Sequence, residues 1–448
     1  MRLTGRTSPA ARPALVLLAA LALAVSMAPA IGDAARAATI RPIVFVHGFF
    51  GSGSQFQTQA KRFASNGYPA DYVDFVDYDS LFTNESREDV IAKLDRKIDE
   101  VRQRHGADKV DLAGHSMGTA ISHEYLNGSA QRAAKVARYV NIDGVTAASP
   151  PGGVPTLAVW AEGRETASIT GATNVHMNNE SHVENASSSA TFAAMYEFLT
   201  GERPRTTDVV AQSGQIQIAG KAVRFPSNVP PGNASIDVFQ IDPATGRRTG
   251  QTPVTTMRVA ADGSWGPFNG SGDAHYEFRL TRADTDQQHH LYFEPFRRTD
   301  LGVRLLSSDP GTGVDRLIQR SPNHVALLAY RNKEWWGDQG ANGDRLTVNG
   351  VSVINEGTAP RDKRAIGLFV FDRFSDRRSN PGSSFGLFDT LPFMTATDVF
   401  LQASANASGT VTLETVQRGG TGRAVRLAIP NWPSSSHTVT VNFNDHAS

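Results

Sequence analysis

VDLAGHSMGTAIS, residues 110–122, sets a serine between two glycines where an apolar run gives way to a helix-like one. Glycine is poor material for the interior of a strand or a helix, so Gly114 and Gly118 mark a point where the backbone turns sharply or approaches closely. The frame Gly114-His115-Ser116-Met117-Gly118 is G-x-S-x-G, with the strand-like KVDLAGHS before it and the helix-like MGTAISHEYLNG after it. In that setting the turn lifts the serine hydroxyl clear of a sheet, and the helix adds free N–H groups beside it. Ser116 is the candidate nucleophile.

The same alternation runs outward on both sides. RPIVFVHG, ADYVDFVDYD, ARYVNIDG, TLAVWAEG and TNVHMNN read as further strands, with helical patterns among them, such as GSQFQTQAKRFASNG and SSSATFAAMYEFLTG. In REDVIAKLDRKIDEVRQRHG the residues Val90, Ile91, Leu94, Ile98 and Val101 share one face of a long helix. Strands separated by helices predict an α/β unit with a mostly parallel sheet over residues 38–203. From about Arg205 the texture changes to β-branched strand-length runs cut by Gly, Asn, Asp and Pro, which predicts all-β, sandwich-like domains. We place them at 205–286 and 287–448, with the division near Thr285-Asp286-Gln287-Gln288.

Composition narrows the chemistry. The 448 residues hold 44 basic and 44 acidic side chains and no cysteine. Balanced charge argues against nucleic acid as the main partner. Without cysteine there is no thiol nucleophile, thiolate zinc site or redox pair. Arg2, Arg6 and Arg12 lead into the apolar run 13–30, and Ala35-Arg36-Ala37 offers a small-residue cleavage site, so residues 1–37 read as a signal peptide and the mature protein as secreted. The apolar run is short for a membrane span. The first 37 residues hold four Arg and one Asp, so the mature chain is slightly acidic, with 40 basic and 43 acidic side chains.

A serine hydroxyl needs a base, and the base an orienting acid. His182, in MNNESHVENAS between the last strand and the last helix of the α/β unit, is the candidate base. Two strand ends offer an acid: Asp143 in ARYVNIDG, which we favour, and Glu162 in TLAVWAEG. The oxyanion would be held by the N–H of Met117 and by that of Phe49, in the His47-Gly48-Phe49 loop after the first strand. Phe50 suits an acyl pocket, and Leu81 and Phe82 in the loop 77–86 are candidate lid residues. The mechanism requires no cofactor or metal, and no stretch has the spacing of a calcium loop.

On VFVHGFFGS (44–52), LAGHSMGT (112–119), NIDG (141–144) and SHVENAS (181–187), residues 40–203 resemble the α/β-hydrolases of the compact bacterial lipase group. The whole layout is similar to that of archaeal and actinobacterial lipases with a C-terminal β-domain. In that superfamily the acid usually follows the seventh strand and in several lipases the sixth, so Glu162 has the commoner placement and Asp143 the sixth-strand one. The resemblance implies hydrolysis of a carboxylic ester through an acyl-enzyme, acting as a triacylglycerol lipase or esterase on lipid or ester at a lipid–water interface. The β-domains would aid lipid engagement, through the clusters Trp335-Trp336, 366–374 and 384–393 if these are exposed. A depolymerase of aliphatic polyesters and a surface-binding protein with an inactive hydrolase domain are the alternatives.

Overall fold

The protein is described here by a computed structural model over residues 40–445; the expected signal peptide lies outside the described residues. Six strands form the first sheet: β1 (Ile43–Val46), β2 (Val73–Val76), β3 (Val110–His115), β4 (Val136–Ile142), β5 (Thr156–Trp160) and β6 (Thr173–His176). All pair in parallel, in the order β2-β1-β3-β4-β5-β6. The unbroken apolar run of β1 follows from burial on both faces. Val44 and Val46 join one core with the apolar face of a helix, while Ile43 and Phe45 join another with Phe63, Phe192 and Met195. That helix is α2 (Arg87–His105), preceded by α1 (Gln57–Ser65) and followed by α3 (Met117–Gly128). Ser86 and Asp89 start α2 with a reciprocal capping box, and Gly106 ends it in the left-handed region at φ 59°. Its five expected apolar residues are all buried, each contributing on the order of 1.5–3 kcal/mol. Strand order reverses between β1 and β3, which opens a crevice at their carboxyl ends.

The β-rich half contains β7 (Gln215–Arg224), β8 (Ala234–Ile241), β9 (Thr255–Arg258), β10 (Ser264–Ser271), β11 (His275–Arg282), β12 (Gln288–Phe293) and β13 (Asp300–Ser307). Beyond them lie β14 (Leu327–Tyr330), β15 (Arg345–Val348), β16 (Val351–Ser352), β17 (Gly367–Phe371), β18 (Met394–Asp398), β19 (Thr410–Val416), β20 (Val425–Pro430) and β21 (His437–Asn442). A central sheet of eight strands has the order β18-β17-β14-β21-β12-β11-β8-β9. One end of it packs on the sheet β10-β7-β13 around Ile218, Phe278 and Leu305. The other end packs on β16-β15-β19-β20 around Leu346, Leu368 and Val441. The two sandwiches thus share a sheet. The expected division near residue 286 falls in the turn between β11 and β12, which are hydrogen-bonded partners, and β13 returns to pair with β7. Turn-forming residues mark a hairpin as readily as a boundary, which is why the sequence suggested a break there.

The described residues form one compact unit, and polar contacts join the parallel sheet to the β-half. On α1 the polar residues Thr58, Gln59, Lys61 and Arg62 are all buried. Lys61 meets Asp300, and Arg298 donates to Ala64 O and Ser65 Oγ at the helix end. Arg304 of β13 grips Asp77, just after β2, through Nε and Nη2 at 2.8–3.1 Å. Burial acts to raise the Asp77 carboxyl, but the Arg304 guanidinium outweighs it and holds the acid well below the usual carboxylate range. Removing one partner of a buried pair strands the other charge. Arg304→Ala is therefore expected to lower stability by about 3–5 kcal/mol in a denaturant titration; a loss below 1 kcal/mol would show that the seam does not depend on this pair.

Candidate active site

Ser116 stands at φ 53° and ψ −121°, a conformation that L residues rarely adopt. Three contacts hold it there. Its N–H donates to Ile142 O at 3.0 Å, and its carbonyl accepts from the Thr119 N–H and hydroxyl at 3.0 and 2.6 Å. The flanking glycines are there for space. A Cβ on Gly118 would lie 2.2 Å from Val46 O, and one on Gly114 2.7 Å from Gly118 O. Bare backbone at both positions lets α3 lie against the ends of β1 and β3.

Asp143 follows β4, next along the sheet from β3, at φ 41°. His182 lies in the loop after β6, and its Nδ1 donates to Asp143 Oδ2 at 2.5 Å. This contact leaves Nε2 of the neutral imidazole with its lone pair. Asp143 Oδ1 accepts from Ala161 N at 3.1 Å. Burial acts to raise the Asp143 carboxyl, but the hydrogen bonds from His182 and Ala161 hold it below its ordinary value. His115 Nε2 donates to His182 O at 2.8 Å, so the turn carrying Ser116 also holds the histidine's backbone. Glu162, the alternative acid, is engaged elsewhere, in an ion pair with Arg361 of the β-half. The structure brings Ser116, His182, Phe49 and Phe50 to one pocket and sets Asp143 behind the histidine.

The loop after β1 is built around His47. Its Nδ1 donates to Gly48 O at 2.8 Å, and its Nε2 accepts from Tyr78 N at 3.2 Å. Gly51 N donates to the same carbonyl at 3.1 Å. In a trans peptide the N–H points opposite to the C=O, so anchoring Gly48 O aims the Phe49 N–H the other way. Neither that N–H nor the Met117 N–H has a hydrogen-bond partner among the described residues. Asn228 of the β-half supports the loop from behind, donating to Gly51 O and Tyr78 O at 2.9 Å.

The match to known families follows this geometry. Residues 44–222 match the lecithin:cholesterol acyltransferase family. Residues 214–310 match the lipase C-terminal domain, and residues 313–447 match a further C-terminal domain. The chain is a lipase-like α/β-hydrolase with C-terminal β-structure. Among solved structures, a Bacillus licheniformis lipase in propeptide form is 14% identical to the hydrolase, over 87% of this chain and 92% of that one, with a TM-score of 0.30. A predicted CIB-like hydrolase from Thermoplasma acidophilum is 16% identical, over 38% of this chain and 90% of that one, with a TM-score of 0.28. Such TM-scores are too low to bear on the reaction.

Further walls of the pocket come from the β-half; the sequence set Ile366 and Phe393 in apolar clusters without giving them a part in this pocket, and it did not single out Tyr330 or Asn332. Tyr330, Asn332, Ile366 and Phe393 of the β-half line it, and the Phe393 ring stacks 6.5 Å from that of His182. Leu81 and Phe82 of the loop 77–86, the expected cover, are not among the residues lining this pocket. Asp79 accepts from the backbone N–H groups of Leu81, Thr83 and Asn84 and folds the loop on itself. Phe82 packs against the core near Tyr78, while Leu81 faces solvent. Among the described residues no group of three or more His, Asp and Glu is placed to hold a metal ion, and no helix is long and apolar enough to cross a membrane.

Two expectations follow for the hydrolase. Gly118→Ala puts a methyl group into the Val46 carbonyl, so activity should be lost while far-ultraviolet circular dichroism still reports folded protein. Burial pushes the His47 and His115 imidazoles down to about 4 and about 3 from 6.5. Below pH 6.5 the unfolded chain binds protons that the folded one refuses. Stability is therefore full above pH 6.5 and falls as pH drops toward 4, and the melting temperature should fall over that range; a flat profile would mean that these rings are not buried neutral.

Proposed function

We propose that the hydrolase cleaves carboxylic esters of apolar acids, with Ser116, His182 and Asp143 as the catalytic relay. The contact that carries this reading is the 2.5 Å hydrogen bond from His182 Nδ1 to Asp143, in a histidine that shares a pocket with a serine in a strained turn. Ser116 Oγ attacks the ester carbonyl carbon, and His182 Nε2 takes the hydroxyl proton. The N–H groups of Phe49 and Met117 donate to the developing oxyanion. His182 passes its proton to the leaving alcohol, while Asp143 stabilises the imidazolium and fixes its orientation. Water then attacks the acyl-enzyme, His182 takes its proton, and the acid leaves as Ser116 recovers a proton.

Apolar lining supports an apolar acyl group. Phe50, Ile366 and Phe393 border both the Ser116 pocket and an adjoining chamber walled by Phe225, Phe369 and Met394. The β-half supplies most of those walls, in keeping with a role in lipid engagement. On its surface Phe374 is 65% exposed and Leu387 52% exposed, which supports contact with aggregated substrate, whereas Trp335 and Trp336 are buried. The basic start, the apolar run 13–30 and the site near Ala37 support export.

Ester hydrolysis across acyl chain lengths, below and above each solubility limit, tests the reading. Ser116→Ala should abolish turnover, and Asp143→Asn should lower kcat by roughly 10⁴-fold with folding intact. Ile366→Trp narrows the passage to the chamber and should lower kcat/KM on long-chain esters more than on acetates. Equal losses on both would place the acyl group elsewhere.

A further inference from the structure

We propose that Glu334, in the β-half, is a positioning residue for His182, so that the β-half takes part in the chemistry of soluble esters as well as in lipid engagement. This rests on the reading of His182 as the base.

Glu334 follows directly from β14 in the segment Tyr330–Glu334 and is fully buried. Its two carboxylate oxygens are spent on the loop that carries the histidine. Oε1 accepts from Val183 N at 2.6 Å, and Oε2 accepts from Ser181 Oγ at 2.5 Å and Glu184 N at 2.9 Å. The residues on both sides of His182 are therefore tied to one carboxylate, while His115 holds the His182 carbonyl between them. A carboxylate is kept from water only where donors surround it, and here the donors named belong to a single short loop.

The clamp is itself fixed. Glu334 O accepts from Arg331 Nη2 at 2.6 Å and from Arg418 Nη1. Arg418 Nη2 also donates to Ser181 Oγ at 3.0 Å and Glu184 Oε2 at 2.7 Å, and Lys333 Nζ reaches Glu184 Oε1 at 2.8 Å. Asp344 pairs with Arg331 at 2.7 Å and with Arg418 at 2.8 Å. Three acids, Glu184, Glu334 and Asp344, thus offset Arg331, Lys333 and Arg418. Burial acts to raise Glu184, but Arg418 and Lys333 prevail and bring it down to about 2. The geometry of the cluster is set by charge as well as by shape.

Steady-state kinetics of the full chain on a short ester below its solubility limit tests this, with Glu334→Gln, Ser181→Ala and Ser116→Ala. Glu334→Gln turns an amide N–H toward a donor, and kcat should fall about 100-fold with KM changed less than about 2-fold, as for a displaced catalytic group. Ser181→Ala removes one clamp contact without changing charge, and kcat should fall about 10-fold. In both, the acid limb of the kcat/KM profile should move to lower pH, because a loosened imidazolium loses part of its support from Asp143. A lower melting temperature with wild-type kcat and an unmoved pH profile would make Glu334 a stability residue only and overturn the proposal. Should Glu334→Gln fail to fold, Ser181→Ala decides by the same criteria. Turnover that survives in Ser116→Ala defeats the serine reading itself; its loss there, with wild-type kinetics in the other two, defeats only the positioning.

Discussion

A serine with φ at 53° holds the molecule to a narrow set of arrangements. Such a backbone costs on the order of 1–3 kcal/mol and lasts only where its surroundings leave no alternative. Here those surroundings are β4, which takes the Ser116 N–H through Ile142 O, and α3, which takes its carbonyl through Thr119. Thr119 Oγ1 also accepts from Val145 N, two residues past Asp143, so the serine turn and the acid's loop share one hydroxyl. Helix α3 lies close enough to β1 that residue 118 carries no side chain. The serine turn, the Asp143 loop and the loop after β1 thus meet at one close-packed junction where strand order reverses.

The second level of order comes from outside the parallel sheet. Helix α1 buries polar side chains because β13 lies against it, and Asp77 is charged in the interior because Arg304 reaches it. The segment running off β14 sets Tyr330 and Asn332 in the wall of the site and continues into the buried ionic cluster around Glu184. The polar seam therefore specifies how the two halves meet, while their separate apolar cores stabilise each half.

What the sequence disclosed was whatever short-range pattern encodes. The β1 run IVFV, the spacing of Val90 to Val101 and the glycines around Ser116 each carry a local rule, and each is legible without neighbours. The positions of Asp143 after β4 and of His182 in the loop after β6 were legible because strand ends follow from the alternation of elements. The clamp at Glu334 and the support from Asn228 lie far along the chain from what they touch, in segments whose local pattern is that of ordinary strands and turns; Ile366 and Phe393 stood out as members of apolar clusters, but no local pattern encodes which pocket such a cluster borders. In the loop 77–86 a pair of apolar residues reads alike whether both cover a site or, like Phe82, one packs against a core. Residue 286 misled because the turn between paired strands has a linker's composition.

The place of β21 in the central sheet bears on when the pocket around Ser116 can be complete. Residues 437–442 pair in parallel with β12 on one side and β14 on the other, so they form an inner strand although they are the last strand among the described residues. Chains generally fold from the N-terminal end as they emerge, and the parallel sheet can assemble from residues made early. Until residue 442 is available, β12 and β14 present unpaired edges and the β14 extension that walls the site has no anchored base. Synthesis of β21, rather than of the serine turn, sets the earliest moment at which the pocket around Ser116 has all its walls.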